Sequence, residues 1–235
     1  MVFRTWACIE VGFAVWNIWQ LNRWGKVSRT EQISVPHGTL WDPQAMANMI
    51  KGQFSARKLL FLLNIGQVVV RLTDSESDLN LKGLDYVFSG NTVGGKPWMS
   101  AVQSSIPQNL FEMCKLINIR PSAVHAVDTM EYRMACYFGG MYYMPFWLLI
   151  PQKPGIRLVS MVNGAPCGCY YFSNDPSYRE NEITRLYLSD PPELAVVLSD
   201  GDMWLREFLE SKSVETLDLG SGLAKQAMIE GWIKS

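Results

Sequence analysis

Strand-length apolar runs separated by turn residues open this chain of 235 residues. The runs are rich in Trp, Val and Ile, residue types that favour extended backbone. They cover residues 5–11, 15–21 and 28–35, and the turn signals between and after them are Gly12, residues 22–25 and residues 36–38. This pattern predicts a three-stranded meander at the start of the chain.

A helix start follows the predicted meander. Asp42 is a good helix cap and Pro43 is accepted in a first turn, so the sequence predicts a helix over residues 44–53. Residues 59–64 are apolar on both faces, which is typical of a buried central strand. The polar segment 73–96, with its Gly and Asn clusters, is predicted to be a loop or a shortened insertion.

The order of predicted elements is repeated in the second half of the chain. In the first half, further strands are predicted at residues 98–103 and 123–127, and helices at 107–117 and 129–137. In the second half, strands are predicted at residues 146–150, 155–162, 167–172, 194–198 and 216–219, and helices at 180–187, 203–211 and 223–233. Asn163-Gly164 is a specific hairpin signal, because both residues tolerate positive φ. The sequence therefore predicts an internal duplication, with lobes at residues 1–143 and 144–235.

Composition restricts the classes of partner. Charged residues make up 18% of the chain and aromatic residues 12%, including nine Trp. A protein this apolar is expected either to present a surface to a partner or to have a Trp-rich core, and the sequence leaves both open. The net charge of −1, without a long Lys/Arg block, argues against nucleic-acid binding.

Cysteine usage and hydropathy indicate a compartment. The chain has five cysteines, Cys8, Cys114, Cys136, Cys167 and Cys169. They lack the spacing of a secreted disulfide framework, which indicates a reducing compartment, and the Cys167/Cys169 pair has no second pair to complete a zinc site. The apolar segment 144–150 is far shorter than the roughly 20 residues of a membrane-spanning helix. We therefore expect a soluble protein that reaches a membrane only through a partner, and we predict no metal.

Three stretches carry a resemblance to a known family. In residues 7–43, a strand, a phosphate-loop position, two strands, a Pro-x-Gly turn and Asp-Pro follow one another. In residues 101–128, a Pro opens a helix, a basic Pro turn follows, and the next strand ends in Asp. In residues 194–208, an apolar strand leads into the place of an adenosine loop. This order resembles the actin-like proteins, and most of all the PilM family of type IV pilus assembly with its relative GspL of type II secretion.

The resemblance implies an α/β fold of the actin-like (ribonuclease H-like) type, duplicated in two lobes. The segments 73–98 and 182–194 leave little room for the insertion subdomains of such proteins. We therefore expect a minimal version of the fold with shortened insertions.

The loops that would bind nucleotide depart from the family pattern. A nucleotide-binding member has Asp, Gly, Ser and Lys in its first phosphate loop, since N–H groups and hydroxyls must contact phosphate. The corresponding positions here are Glu10, Gly12, Phe13, Ala14, Val15 and Asn17 in the first loop, Pro151, Gln152, Lys153 and Pro154 in the second, and Ser199, Asp200, Gly201 and Asp202 in the adenosine loop. The missing Lys, the two prolines without N–H donors and the added carboxylates argue against ATP. No cofactor is therefore predicted.

Single polar side chains have structural explanations. Glu10 is predicted to be a solvated strand-end residue, and Asp128 to cap a helix that begins at residue 129. His37 and His125 have no nucleophile elbow to serve. The sequence thus predicts no catalytic residue, and a magnesium role for Glu10 or Asp128 is the alternative.

These observations favour a non-enzymatic pseudo-ATPase scaffold in a bacterial type IV pilus or type II secretion platform, cytoplasmic and peripheral to the inner membrane. The resemblance implies that a groove in the first lobe receives the cytoplasmic tail of a PilN-type membrane protein, and that another face contacts an assembly ATPase. The partner-binding candidates are Trp16, Trp19, Trp24 and Trp41. One alternative is a divergent actin-like protein that binds ATP and Mg²⁺ as a nucleotide-dependent switch. Another is an unrelated enzyme with a pocket around His125 and Asp128.

Overall fold

The computed structural model describes residues 5–65, 69–72, 83–91, 97–152, 155–173, 175–198 and 203–234. Contacts within the chain divide it into two units. The first consists of Met1–Phe88, Met99–Met130 and Gln226–Ser235, and the second of Ser89–Trp98 and Glu131–Lys225. This division differs from lobes at 1–143 and 144–235, because it assigns residues 131–143 to the second unit and returns the C-terminal segment to the first.

The first half of the chain forms two sheets. Its strands are β1 (Trp6–Val11), β2 (Val15–Leu21), β3 (Val27–Ser34), β4 (Lys58–Leu63), β5 (Val69–Leu72), β6 (Leu84–Asn91), β7 (Pro97–Gln103) and β8 (Arg120–Ala126). Its helices are a 3-10 turn (Thr39–Trp41), α1 (Pro43–Ile50), α2 (Ser105–Leu116) and α3 (Val127–Met141). The five-stranded sheet has the order β3-β2-β1-β4-β8, with the first three strands antiparallel and β4 and β8 parallel to β1. The predicted meander and the buried central strand are confirmed.

A small three-stranded sheet, β5-β7-β6, is inserted between β4 and α2. The polar segment 73–96, for which the sequence left a loop or a shortened insertion open, contains β6. Leu84, Tyr86 and Phe88 alternate with other residues at the period of a strand, and this signal is diluted by the surrounding Asn and Gly. The described part of this segment, residues 83–91, thus belongs to an inserted sheet, whereas residues 73–82 and 92–96 lie outside the described residues.

Local backbone chemistry sets the start of α1. The Asp42 carboxylate accepts hydrogen bonds from the backbone N–H groups of Gln44 at 2.9 Å and Ala45 at 3.1 Å, and Pro43 is the first helical residue. The helix buries Met46 and Ile50 against the sheet. The predicted helix start is confirmed.

The second half repeats the architecture of the first. Its strands are β9 (Phe146–Gln152), β10 (Gly155–Val162), β11 (Ala165–Ser173), β12 (Leu194–Val197) and β13 (Glu215–Asp218), and its helices are α4 (Pro176–Ser189), α5 (Met203–Ser211) and α6 (Ser221–Lys234). The sheet order β11-β10-β9-β12-β13 matches that of the first sheet, strand for strand. Asn163 and Gly164 have φ values of 51° and 78° in the β10–β11 hairpin, as their sequence predicts. The internal duplication is therefore present in the fold.

Each five-stranded sheet packs one face against two helices. In the first unit, Ile9, Trp16 and Phe61 of the sheet contact Leu110 and its neighbours on α1 and α2. In the second unit, Trp147, Leu149 and Leu158 contact residues of α4 and α5 in the same manner. Burial of these large side chains is the main source of stability for each unit.

The end of α6 packs on the first sheet through one buried carboxylate. Glu230 is 7% exposed, accepts a hydrogen bond from the Val27 backbone N–H at 2.9 Å and forms an ion pair with Lys26 at 2.5 Å. The hydrogen bond from Lys26, followed by that from Val27, lowers the pKa of Glu230 to about 2. This contact explains why residues 226–235 belong to the first unit.

Candidate functional site

The β1–β2 connection contains residues that the sequence resemblance assigns to the first phosphate loop. Val11 pairs with Trp16, so residues 12–15 form the turn. The indole N–H of Trp16 donates to the Gly12 carbonyl at 3.0 Å. A Cβ on Gly12 would lie 2.6 Å from the Val15 carbonyl oxygen, so the turn itself requires Gly at this position. The geometry of this turn therefore explains the presence of Gly12 without a role in phosphate binding.

Glu10 is buried, and its carboxylate is bound by side-chain amides. The residue is 3% exposed. Its Oε2 accepts a hydrogen bond from Asn17 Nδ2 at 3.0 Å, and its Oε1 accepts one from Asn64 Nδ2 at 2.7 Å. Gln32 Nε2 donates in turn to Asn17 Oδ1 at 3.0 Å, which extends a polar row across three strands.

The prediction that Glu10 is a solvated edge residue is wrong. Glu10 lies on the central strand β1, with β2 on one side and β4 on the other, so neighbouring strands cover it. A buried carboxylate requires hydrogen bonds, and the two amides supply them. Both oxygens that could ligate a metal thus already accept hydrogen bonds from the protein.

Asn64 is a site residue that sequence reasoning missed. It follows β4, which is parallel to β1, so both strands end at the same edge of the sheet. Its backbone N–H also donates to the Val11 carbonyl at 2.8 Å. The sequence does contain a signal for Asn64, because it is a polar residue directly after an apolar strand. The carboxyl ends of parallel strands meet at one edge of a sheet, where such residues come together.

The β9–β10 connection contains residues that the sequence resemblance assigns to the second phosphate loop. Gln152 pairs with Gly155, and Pro151 pairs with Ile156. β12 pairs with β9 only over residues 146–149, so Pro151 lies beyond the part of β9 that has a partner on both sides. A Cβ on Gly155 would lie 2.2 Å from the Phe172 carbonyl oxygen and 2.8 Å from the Tyr171 ring. The packing of β11 therefore requires this glycine.

The remaining loop predictions lie outside the described residues. Lys153 of the second phosphate loop is one of them. The adenosine-loop positions Ser199, Asp200 and Gly201 are the others. Their proposed lack of nucleotide contacts stays a prediction.

Asp128 lies in the first turn of α3 and is 2% exposed. The prediction that it caps the helix is wrong, because the helix begins one residue earlier, at Val127. A carboxylate in a first helical turn is stabilised by the helix dipole.

Within the ranges that the structure describes, no group of three or more His, Cys, Asp or Glu side chains is placed to hold a metal ion. None of the described helices is both long and apolar enough to cross a membrane.

The four candidate tryptophans divide into two pairs. Trp16 is 0% exposed and Trp19 is 7% exposed, whereas Trp24 is 67% and Trp41 46% exposed. Trp16 belongs to the core cluster beneath α1 and α2. The prediction of partner binding is therefore wrong for Trp16 and Trp19, because both rings are buried and present no surface to a partner. Trp24 and Trp41 remain candidates.

A groove of about 400 Å³ lies between α1 and the turn from α2 to β8. Its lining combines apolar side chains with polar groups, and it includes Ile50, Lys51, Phe54, Leu116, Ile117 and Ile119. Leu116 is 54% exposed at this groove. A groove that offers both apolar contacts and hydrogen-bonding groups can hold a short peptide segment.

Comparisons with known proteins agree on the fold. A scan of protein-family models and a search of curated protein sequences found no match. Among solved structures, a Bacteroides thetaiotaomicron protein with an actin-like ATPase fold and unknown function superposes with a TM-score of 0.69 at 7% identity, over 97% of this chain and 96% of that one. The PilM–PilN type IV pilus biogenesis complex gives a TM-score of 0.60 at 11% identity, over 95% and 90% of the two chains.

The cytoplasmic domain of EpsL, an inner membrane component of the Vibrio cholerae type II secretion system, gives a TM-score of 0.53 at 10% identity, over 98% and 95%. A putative 2-dehydro-3-deoxygalactonokinase from Sinorhizobium meliloti gives 0.54 at 7% identity, over 97% and 96%. The chain therefore has the actin-like fold. It shares that fold with PilM and with the EpsL cytoplasmic domain, as the sequence resemblance indicated.

Proposed function

We propose that this protein is a non-enzymatic actin-like scaffold that docks the cytoplasmic tail of a PilN-type membrane protein in a pilus or secretion platform. The observation that carries the non-enzymatic part is the state of Glu10, whose two carboxylate oxygens accept amide hydrogen bonds from Asn17 and Asn64. An ATPase needs oxygen ligands open to Mg²⁺ at this strand end. The likeness to PilM and EpsL supports the scaffold part.

The absence of ATP binding can be tested by thermal unfolding. A ligand at 100 times its dissociation constant stabilises the folded state by about 2.7 kcal/mol. We expect millimolar Mg-ATP to leave the melting temperature unchanged. A clear increase that Gly201→Trp abolishes would overturn the pseudo-ATPase proposal.

The groove between α1 and the α2–β8 turn is the proposed docking site for the tail. It combines the half-buried Phe54 and Ile117 with the exposed Leu116. Short apolar anchors of a peptide fit such a groove and dominate binding energy. In the same proposal, the assembly ATPase contacts a different face.

Fluorescence anisotropy with labelled tails of the host's pilus and secretion membrane proteins tests this docking. We expect one tail to bind, and Leu116→Asp to weaken its binding at least about 10-fold, since a buried charge at an apolar contact is unfavourable. Leu188→Asp is the matched control, because Leu188 is 78% exposed on α4, far along the chain from the groove. If no tail binds, or if both variants weaken binding equally, the docking proposal fails.

A nucleotide-dependent switch is the second candidate. The kinase-like neighbour and the retention of a carboxylate, Glu10, at the end of β1 favour it. In that case, Asn64→Ala should remove one amide donor from the Glu10 carboxylate and strengthen Mg-ATP binding. If the wild type does not bind Mg-ATP, this candidate is excluded.

A further inference from the structure

Cations gather at one edge of the first sheet. Strand pairing places Val27, Leu21, Trp6, Lys58 and Arg120 in one row across the sheet, at the amino ends of β1, β4 and β8. Adjacent strands lie roughly 4.8 Å apart, so this row spans about 20 Å. The row therefore brings residues far apart in sequence to one edge.

Five cations belong to this edge and its flanks, and we call them the basic edge. They are Arg23 of the β2–β3 hairpin, Lys51 after α1, Arg57 and Lys58 at the start of β4, and Arg120 at the start of β8. The Arg57 backbone is hydrogen-bonded on both sides, its N–H to the Thr5 carbonyl at 3.0 Å and its carbonyl to the Arg120 N–H at 3.2 Å. These backbone bonds hold Arg57, the residue before β4, beside the first residue of β8.

Within the described residues, Lys51, Arg57, Lys58 and Arg120 form no ion pair with a carboxylate. Two other cations of this region behave differently. Lys26 is paired with Glu230, and Lys115 is paired with Glu112 at 2.6 Å. These four cations therefore supply unpaired positive charge to the basic edge, in a chain whose net charge is −1.

Helix stability does not explain the cluster. A cation at a helix C-terminus interacts favourably with the helix dipole, and this accounts for Lys51 after α1. Arg57, Lys58 and Arg120 lie at strand ends, where the net backbone dipole is small. These three charges have no comparable structural reason, apart from the contact of Lys58 with the Trp6 ring at 4.6 Å.

Exposed apolar side chains accompany the charges. Trp24 is 67% exposed at the hairpin tip, and the Arg23 guanidinium lies 4.6 Å from its ring centre. Leu116 is 54% exposed at the end of α2, close in sequence to Arg120. Trp and Arg side chains together are favoured at the headgroup level of a membrane, where a ring can leave water while the cation meets phosphate.

We propose that the basic edge binds the surface of an anionic lipid bilayer directly, with Trp24 at the headgroup level. Each Lys or Arg near an anionic surface strengthens binding roughly fivefold, so several together give stable but salt-sensitive association. This inference goes beyond the proposed function, which needs membrane contact only through a partner. It also puts the groove beside α2 near the bilayer from which a membrane protein's tail would emerge.

The test is co-sedimentation with two kinds of vesicle. One contains phosphatidylcholine alone, and the other contains phosphatidylcholine with about 30% of the anionic lipid phosphatidylglycerol. The variant carries Lys51→Glu, Arg57→Glu and Arg120→Glu. The matched control, on exposed cations of the second unit, carries Arg185→Glu, Arg206→Glu and Lys212→Glu. No tail peptide is present, so the result is independent of the docking proposal.

We expect the wild type to bind only the anionic vesicles, with loss of binding as salt rises. The basic-edge variant should bind at least about 100-fold more weakly, and the control should lose far less. If the charge-reversed protein misfolds, a variant with Gln at the same three positions replaces it. That variant must also bind anionic vesicles more weakly than the wild type and the control. Absence of wild-type binding, equal losses in variant and control, or binding to poly(U) RNA in place of vesicles would overturn the proposal.

Discussion

Replacing Glu230 with Gln perturbs the contact that joins the end of α6 to the first sheet. Glu230 accepts hydrogen bonds from Lys26 Nζ at 2.5 Å, the Val27 N–H at 2.9 Å and the Gln226 amide at 3.2 Å. Gln keeps the size of the side chain but removes its charge, so the bond from Lys26 loses its ionic partner. A hydrogen bond to a charged group contributes about 1.5–3 kcal/mol, and solvent around an exposed partner reduces this value.

The Lys26 side chain is 61% exposed, whereas that of Glu230 is 9% exposed. We therefore expect E230Q to lower the free energy of unfolding by about 1–2 kcal/mol at pH 7. For a chain of this size, the melting temperature should fall by roughly 2–8 °C. Hydrogen exchange at the Val27 amide should become faster, because its acceptor is weakened.

The effect of E230Q should depend on pH. The folded-state pKa of Glu230 is about 2, below the ordinary carboxyl value of 4.5, because Lys26 and Val27 donate to the carboxylate. A lowered folded-state pKa contributes stability that is present above the unfolded-state pKa and is lost as pH falls toward the folded-state value. The stability difference between wild type and E230Q should thus be constant near neutral pH and shrink below about pH 4.5.

Thermal and urea unfolding, followed by circular dichroism from pH 7 to pH 3, test this reasoning. The matched control is Glu112→Gln, since Glu112 forms an ion pair with Lys115 in which both side chains are exposed. That control should change stability by less than about 0.5 kcal/mol. An E230Q difference no larger than that of the control, or one that grows at low pH, would refute the assignment of α6 to this contact.

Three further changes test the local packing. Trp16→Phe removes the N–H that donates to Gly12 and should cost about 1–2 kcal/mol in urea unfolding, with an unchanged far-UV spectrum. Gly155→Ala should cost about 1–3 kcal/mol or prevent folding, because its Cβ would lie 2.2 Å from a β11 carbonyl oxygen, whereas Gly222→Ala on α6 has no atom within 4 Å and should be neutral or stabilising. Burial raises the pKa of Cys114 to about 12, so a thiol reagent at pH 8 should label it only after unfolding; rapid labelling of the native protein would contradict its burial.

Local signals in the sequence predicted much of the fold correctly. Asp42 and Pro43 specify the start of α1 through backbone hydrogen bonds and a fixed φ, and Asn163-Gly164 specifies a hairpin through positive φ. Such preferences act within a few residues, so they survive in any tertiary context. Strand β6 was the element that composition concealed, because its Gly and Asn neighbours are typical of loops.

The candidate site was less predictable from the sequence, because the order in which the strands pair decides which of its residues become neighbours. Gly12 resembled a phosphate-loop residue, but its role in the turn depends on the approach of the Val15 carbonyl. Burial of Trp16 and Trp19 depends on what packs against each face of the sheet, which the alternation along β2 does not give. The sequence also did not show that Glu10 is buried: it was expected at a solvated strand end, but β1 is the central strand of the sheet.

Apart from β6, the sequence by itself thus determined the order of strands and helices, their duplication and the chemistry of their turns, since each depends on neighbouring residues. Only the tertiary structure decided that Asn64, 54 positions from Glu10, binds its carboxylate, and that Lys58 and Arg120 are paired on adjacent strands. The physical reason is that side-chain partners are set by which strands pair. Strand pairing depends on the packing of the whole sheet, and no short segment contains that information.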